Sequence, residues 1–389
     1  MGVPPLRSPR YASLDLWRGF ACLLVLLNHS VFYRPGIGSS ATVLEGVNRA
    51  IAALATRAWA GVPIFFVISG YCITATVMRE SGNRDSVGAY FFKRFRRIFP
   101  PYWTALLGGA ILIGAADVAL RGSITADGFG LRPWWFSASQ WIGSLTLTEI
   151  WRAHLIGGPK GLILGPAWTL CYEEQFYAVC GLLLLLCPRR FFAGATAVTT
   201  AVLLSVVAAE RFELKIDGFF FDGAWIQFAL GILLFYAVNY GSRHAKRLTV
   251  AVFVSVVVWA LSSGWALLAP DKNPAQAFLV AGVFSILALM LKPLDRKMAT
   301  SRLLKPFQVC GIMCYSLYLV QAPIVSVIRG LLVWMNIGVF ELSPLASLPL
   351  CFVPTLWVAW RFHSAIERRF MPAQRERMAI PEVNYAAAV

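Results

Sequence analysis

Runs of about twenty mostly apolar residues recur along the chain, separated by short polar connections. An α-helix rises 1.5 Å per residue, so about twenty residues cross the roughly 30 Å apolar core of a bilayer. Inside a bilayer every backbone polar group needs an internal partner, which a helix supplies. The sequence therefore predicts an all-α, polytopic membrane protein. We expect about ten transmembrane helices, at 14–33, 60–79, 102–120, 172–188, 191–209, 219–240, 249–268, 275–292, 308–333 and 345–363.

The composition agrees with this fold class. Hydrophobic residues make up 58% of the chain and charged residues 14%, whereas soluble domains have about 45–50% and about 25%. The eight cysteines lie mostly in apolar runs without metal-ligand spacing, so we expect small buried side chains and no bound metal. His154, His244 and His363 show no partner at ligand spacing either.

The distribution of lysine and arginine predicts the orientation. With ten spans both termini lie on one side, and that side holds roughly twice as many basic residues as the other. We therefore expect both termini in the cytoplasm, and the net charge of +16 then needs no nucleic-acid partner. Arg7 and Arg10 precede the first apolar run without a cleavage site, which predicts a retained first helix. Segment 134–150 is short and amphipathic, as in an interfacial or re-entrant element.

Arg18 and His29 lie eleven residues apart on the first apolar run. Eleven residues are three helical turns plus about 20°, so both side chains share a face, about 16 Å apart along the axis. Ionisable groups inside a membrane helix are costly and mark functional sites. By the predicted orientation Arg18 lies near the cytoplasmic end, and His29 lies beyond the midplane, toward the outer side. A neutral imidazole there suits a general base, although a lone histidine is more often structural.

Two adjacent carboxylates, Glu173 and Glu174, open a later apolar run. They could complement the dipole at a helix N-terminus. Alternatively, one of them could share a cavity with His29 and hydrogen bond to it, which would fix the tautomer of the imidazole. Adjacent helical residues point about 100° apart, so at most one of the two can face such a cavity.

A basic cluster and two aromatic residues form the third feature: Lys93, Arg94, Arg96, Arg97, Tyr102 and Trp103. The arginines could simply retain this end of the helix in the cytoplasm, with an aromatic anchor at the membrane interface. Arginine also binds phosphate oxygens in a bidentate way, so the cluster could hold a cofactor with several phosphates, such as coenzyme A. Near Pro63 and Gly70, Ser69 is expected to hydrogen bond to a neighbouring helix.

Six segments together resemble the acyltransferase 3 family of integral membrane O-acyltransferases. They occur in order along nearly the whole chain: 14–30 with Arg-x10-His, 65–70, 94–103, 168–177, 315–319 and 367–370. The chain departs from the family pattern in a few places. Gln321 stands where a histidine is common, Cys314 and Thr169 replace common serines, and Arg369 replaces a proline.

The resemblance implies a single transmembrane acyltransferase domain at 1–372, a short cytoplasmic tail at 373–389, and a place in the bacterial inner membrane among its lipids. It implies an acyl-CoA donor, most often acetyl-CoA, and a hydroxyl acceptor on a carbohydrate, glycolipid or glycosylated metabolite. We expect the basic cluster, with Tyr102 and Trp103, to bind coenzyme A. His29 would take the acceptor proton or carry the acyl group, and Glu173 or Glu174 would orient it.

In this interpretation Arg18 lines the route between donor and acceptor, or contacts polar groups of the donor. The main alternative is a transporter or flippase of a lipid-linked sugar or small molecule, in which Arg18, His29 and Glu173 form a proton relay. Transporters commonly have two related halves, and none are visible here. A non-catalytic membrane scaffold is the second alternative. Acceptor specificity is expected in the outer loops 34–57 and 121–166. No motif in these loops indicates which acceptor binds, and the sequence does not indicate the oligomeric state.

Overall fold

A computed structural model describes residues 11–34, 43–80, 86–124, 132–213, 223–262 and 274–371. Most of these residues are helical, and none of them lies in a β-strand. The helices in chain order are α1 Leu14–Ser30, α2 Val43–Arg57, α3 Gly61–Glu80, α4 Ser86–Ala119, α5 Ala138–Leu145, α6 Glu149–Leu155, α7 Trp168–Leu186, α8 Phe191–Arg211, α9 Ala224–Asn239, α10 Arg243–Ser262, α11 Pro274–Leu291, α12 Asp295–Thr300, α13 Lys305–Ile312, α14 Cys314–Trp334, α15 Pro344–Phe362 and α16 Arg368–Phe370.

Among the described residues, eight helical stretches are long and apolar enough to cross a membrane. They are Val43–Arg79, Val87–Ala119, Gly165–Leu186, Pro188–Ala209, Arg243–Ser262, Ala275–Thr300, Cys314–Trp334 and Pro344–Phe370. The other two predicted spans correspond to α1 and α9, which have 17 and 16 residues. The all-α, polytopic fold class is thus confirmed. The N-terminal residues before Tyr11 and the predicted tail 373–389 lie outside the described residues, so the orientation stays a prediction.

Helix α4 differs from its prediction because it begins sixteen residues before the expected span and carries the basic cluster on the same helix. Pro100 and Pro101 lie inside it. Tyr315 of α14 donates a hydrogen bond to the carbonyl of Ile98 at 2.9 Å, just before the two prolines, and so joins α14 to α4 there. The basic cluster therefore lies on the same continuous helix as the predicted span.

The predicted span 308–333 is interrupted at Met313, where α13 ends and α14 begins. Before this break, α13 packs on α1 with backbone against backbone. A Cβ on Gly311 would lie 1.6 Å from the carbonyl oxygen of Asp15, and one on Gly19 would lie 1.8 Å from that of Phe307. Only glycine permits this approach.

Helix α3 lies at the centre of the bundle, in contact with α1, α4, α7, α9 and α11. A Cβ on Gly61 would lie 2.3 Å from the carbonyl oxygen of Ala21, so α3 also approaches α1 closely. The first turn of α1 is anchored by Asp295, whose carboxylate accepts hydrogen bonds from the backbone amides of Ala12 and Ser13 at 2.8 Å. These contacts set the positions of α1 and α3, on which the site is built.

Segment 134–150 contains a short 3₁₀ turn and α5, followed by α6. A buried ion pair joins Glu149 and Arg152 at 2.7 Å. The Arg152 guanidinium also donates to the carbonyls of Gly157 and Pro159, and Glu149 accepts from the amide of Gly161. The pair therefore fixes the loop that leads into α7.

Candidate active site

A cavity of about 850 Å³ lies between α1, α3, α4, α7 and α14. Six of the predicted site residues line it: Arg18, Lys93, Arg94, Arg96, Arg97 and Glu173. These residues come from three helices that are far apart in sequence. The structure therefore joins the basic cluster, the arginine of the Arg-x10-His pair and one carboxylate in a single space.

A row of polar side chains on α3 organises this cavity. Ser69, Cys72 and Thr76 are three and four residues apart, so they share one helix face. All three line the cavity. Each contacts a charged residue from a different helix, so α3 acts as a common support for the site.

Glu173 and Arg94 meet at Tyr177. Oε1 of Glu173 accepts hydrogen bonds from Ser69, at 2.7 Å, and from the hydroxyl of Tyr177. The guanidinium of Arg94 lies 5.0 Å from the centroid of the Tyr177 ring and donates to Oγ1 of Thr76 at 2.9 Å. The predicted hydrogen bond from Ser69 to a neighbouring helix is confirmed. Its partner is Glu173 of α7, and Tyr177 lies between this carboxylate and Arg94 of the basic cluster.

Arg18 makes two contacts at the cavity wall. Its Nη2 donates to Sγ of Cys72 at 3.0 Å, and its Nη1 pairs with Asp15 at 3.0 Å. Arg18 lines the cavity, and its side chain is 23% exposed. It can still interact with an anionic or polar ligand.

The basic cluster forms the rim of the cavity. Lys93 and Arg96 are exposed, while Arg94 and Arg97 are half-buried. Within the described part of the chain, Arg97 has no ion-pair partner. Several positive charges at the rim of one cavity favour a ligand with several negative charges.

His29 does not line this cavity. The lining residues of α3 run from Arg79 to Val62, about 26 Å along the helix axis at 1.5 Å per residue. Val62 follows Gly61, which packs against Ala21. The deep end of the cavity is therefore level with the middle of α1, and His29 lies about two turns farther along. His29 is half-buried in the last turn of α1.

Three other predicted residues also lie away from the cavity lining. Glu174 is half-buried, and its Oε1 has no hydrogen-bond partner among the described residues. Tyr102 is buried and donates to the carbonyl of Ser144 at 2.7 Å, and the indole of Trp103 donates to the carbonyl of Leu145 at 2.9 Å. These two aromatic residues attach α4 to the end of α5. Of the adjacent carboxylates, Glu173 is the one that faces the cavity.

A hydrogen-bonded group at the chain's last described turns was missed by the sequence reasoning. Oε2 of Glu367 accepts from Oγ of Ser316 at 2.5 Å and lies 2.7 Å from Nδ1 of His363. A π-helical turn at 363–367 brings His363 and Glu367 together. Glu367 lines the cavity. The sequence analysis assigned His363 no role because it found no partner at ligand spacing, whereas the structure pairs His363 with Glu367, and the spacing of four residues to this carboxylate was the available signal.

Across the described ranges, no three His, Cys, Asp or Glu side chains converge to hold a metal ion. All eight cysteines are free thiols. The polar groups at the cavity are a carboxylate hydrogen bonded to a tyrosine, and arginines that donate to a thiol and to a hydroxyl. Such a set can bind an anionic ligand and orient a polar one.

Comparison with known proteins identifies relatives over large parts of the chain. Nodulation protein 10 of Rhizobium leguminosarum bv. viciae is 30% identical over 233 residues, which are 56% of this chain and 58% of that protein. A putative O-acetyltransferase of Staphylococcus aureus strain COL is 27% identical over 191 residues, 47% of this chain and 26% of that protein. A putative peptidoglycan O-acetyltransferase of Bacillus subtilis strain 168 is 28% identical over 125 residues, 31% and 18% of the two chains.

The matched regions thus span less than two thirds of the length of these relatives. No solved structure matches the chain. The family model for acyltransferase 3, described as an acyltransferase domain, matches residues 11–363, which include every helix from α1 to α15. The chain therefore belongs to the acyltransferase 3 family.

Proposed function

We propose that this protein is a membrane O-acyltransferase that moves an acyl group from acyl-CoA to a hydroxyl group. The proposed acyl group is acetyl. The acceptor is a carbohydrate, a glycolipid or a glycosylated metabolite. The observation that carries the proposal is the single cavity that joins the basic cluster to Arg18 and Glu173. A cavity with a cationic rim and a long interior suits a ligand with phosphates at one end and a neutral chain at the other.

The basic cluster would hold the phosphates of coenzyme A. Arg94 and Arg97 are half-buried, and a charge-assisted hydrogen bond is stronger where water is partly excluded. The cavity follows α3 for about 26 Å, so the flexible arm of the donor can run past Arg18 toward Val62. This path would bring the acyl group to the middle of the bundle, and the acyl group would have to extend about two further helical turns to reach the level of His29.

His29 would act on the acceptor side, as the general base. The acceptor oxygen forms a bond to the acyl carbon, and the bond between that carbon and the coenzyme A sulfur breaks. The hydroxyl proton passes to the imidazole of His29, and coenzyme A leaves as a thiolate that takes up a proton. Glu173, held by Ser69 and Tyr177, would orient polar groups at the donor end, and Glu174 is the alternative carboxylate.

The names of the relatives support an acetyl group and a carbohydrate acceptor. The staphylococcal and Bacillus proteins are named as putative O-acetyltransferases, and the latter name specifies peptidoglycan. We propose a related acceptor here. We further propose that the protein lies in a bacterial plasma membrane with both termini in the cytoplasm, because this places the basic cluster on the side where acyl-CoA is made.

The test uses the full-length protein in lipid nanodiscs with radiolabelled acetyl-CoA. The acceptor set contains peptidoglycan fragments, methyl glycosides and a bacterial glycolipid extract. His29→Ala is expected to lower label transfer by about 100-fold or more, because general base catalysis contributes about 10²–10⁴-fold. His244→Ala, which alters an exposed histidine at the start of α10, is the matched control and should keep full activity.

Two outcomes would count against the proposal. Full activity of His29→Ala with normal expression would remove His29 from the mechanism. Absence of transfer from wild type to every acceptor, with intact binding of coenzyme A, would reject the acyltransferase activity and favour a transport or scaffold role.

A further inference from the structure

Glu367 places a carboxylate in the wall of the cavity. Its side chain is only 4% exposed, and it lines the cavity. Its hydrogen bonds, with Oγ of Ser316 and Nδ1 of His363, both use Oε2. Among the described residues Oε1 has no hydrogen-bond partner, yet it is not one of the fully enclosed polar atoms. Because the rest of the side chain is enclosed, this oxygen faces the cavity as a hydrogen-bond acceptor.

This carboxylate does not neutralise the basic cluster. Within the described ranges its only ion-pair partner is His363, although Arg97 lines the same cavity. The π-helical turn 363–367 and the hydrogen bond from Ser316 hold the side chain in place without help from the arginines. A negative charge here also repels phosphate. A ligand that enters through the cationic rim therefore needs a hydrogen-bond donor, rather than an anion, where it passes Glu367.

Glu367 and Arg18 lie at nearly the same depth in the cavity. The thiol of Cys314 lies within electrostatic range of both side chains. The carbonyl of Cys314 accepts a hydrogen bond from Sγ of Cys22, which follows Arg18 by about one turn of α1 and also has Glu367 as a charged neighbour. A donor on α1 and an acceptor on the last described turns therefore flank the same part of the cavity.

This part of the cavity lies deeper than the cationic rim. Arg94 donates to Thr76 of α3, whereas Arg18 donates to Cys72, four residues earlier on the same helix. Four residues span about 6 Å, so a ligand with phosphates at Arg94 presents the beginning of its neutral arm to Arg18 and Glu367. A guanidinium has five N–H groups, and Arg18 uses two of its nitrogens for the contacts described above. It still has N–H groups to offer a ligand.

We infer that Glu367 accepts a hydrogen bond from an amide N–H in the pantetheine arm of the acyl donor, while Arg18 donates to the carbonyl of that amide. This inference rests on the proposed function. A secondary amide carries one N–H and one carbonyl, so a donor and an acceptor at the same depth complement it. Burial of an amide without such partners is costly. The ligand class is therefore a thioester with an amide-containing arm, rather than an acyl phosphate or a simple thioester.

The experiment measures dissociation constants by calorimetry with the full-length protein in nanodiscs. The ligands are coenzyme A and two analogues, each with one of the two arm amides replaced by an ester, which removes the N–H and keeps the length. The proteins are wild type, Glu367→Met, Arg94→Ala and the control Glu341→Met. Methionine is similar in size to glutamate but has no carboxylate, and Glu341 is an exposed residue that does not line the cavity.

We expect wild type to bind at least one ester analogue about tenfold or more weaker than coenzyme A, the loss typical of a hydrogen bond to a charged group. Glu367→Met should bind coenzyme A itself about tenfold or more weaker, and the same ester should then cost less than twofold. Arg94→Ala should keep the full ester penalty, because it removes a contact at the rim. Glu341→Met should match wild type throughout.

Equal binding of coenzyme A and both ester analogues by wild type would overturn the inference, while label transfer from acetyl-CoA would leave the proposed function intact. An undiminished ester penalty in Glu367→Met would also overturn it. If this variant does not fold, Glu367→Gln replaces it, and an undiminished penalty there has the same meaning. If wild type does not bind coenzyme A, the proposed donor is wrong, and this inference fails with it.

Discussion

Replacing Glu149 by glutamine should destabilise the protein by about 3–5 kcal/mol, the usual cost of leaving one partner of a buried ion pair unpaired. The Glu149 and Arg152 side chains are only 1% and 6% exposed. Glutamine preserves the shape and can still accept the hydrogen bond from the amide of Gly161. The substitution removes the negative charge and leaves the guanidinium buried without a counter-charge, and it also replaces the oxygen that accepts from Nε of Arg152 by an amide donor.

The other hydrogen bonds of Arg152 predict how much stability a double substitution recovers. Its guanidinium donates to Glu149 through Nε and Nη2, and to the carbonyls of Gly157 and Pro159. Leucine at both positions 149 and 152 removes the unpaired charge, so it should recover part of the loss. It cannot recover all of it, because the carbonyls of Gly157 and Pro159 lose their donor.

The assay is the free energy of unfolding in detergent micelles, combined with limited proteolysis of the loop 156–164. Glu45→Gln is the control, because the Glu45–Arg49 pair is partly exposed on α2, with Arg49 at 53%. Such pairs contribute about 0–1 kcal/mol. The reasoning is refuted if Glu149→Gln costs no more than Glu45→Gln, or if the loop is cleaved no faster than in wild type.

Two further predictions concern ligand binding and packing. Arg94→Ala should raise the dissociation constant of coenzyme A about 10–100-fold, since a hydrogen bond to a charged group contributes about 1.5–3 kcal/mol. Calorimetry at two salt concentrations measures this, with the exposed Arg189→Ala as a control that should bind normally. Gly311→Ala should destabilise by at least the upper end of the about 1–3 kcal/mol for overpacking, because its Cβ meets the backbone of Asp15. Gly108→Ala, where a Cβ meets nothing within 4 Å, should be nearly neutral in thermal unfolding, and equal melting temperatures for the two variants would contradict the packing argument.

The apolar runs predict the helices well because each span must fill the same bilayer thickness. Helix α15 at Pro344–Phe362 matches the predicted 345–363 within one residue. The errors arise where a tertiary contact overrides the local signal. The predicted span began at 102, whereas α4 begins at Ser86, and the run 308–333 is interrupted at Met313, next to the backbone contact at Gly311.

The sequence indicated the residues of the candidate site, but not that they line the same cavity. Arg18, Glu173 and the basic cluster each stood out as costly charges in or near apolar helices. Their convergence on the polar row of α3 depends on which helices pack together, and a single sequence does not encode that locally. Helical periodicity could have excluded Trp103 from the cavity wall. Nine residues separate it from Arg94, about two and a half turns, so it points to the opposite side.

The glycine contacts of α1 have a consequence for how transfer can proceed. Gly19, Gly61 and Gly311 place the backbone of α1 directly against α13 and α3. Packed side chains can change rotamer and so allow helices to slide past each other, whereas two backbones in direct contact cannot adjust in this way. Helix α1 is therefore held as a rigid element. Because Arg18 and His29 both lie on this helix, the separation between them stays constant while the bundle stays folded. In the proposed mechanism this distance has to be covered by the ligand itself, so the length of the acyl donor's flexible arm would contribute to the proposed specificity.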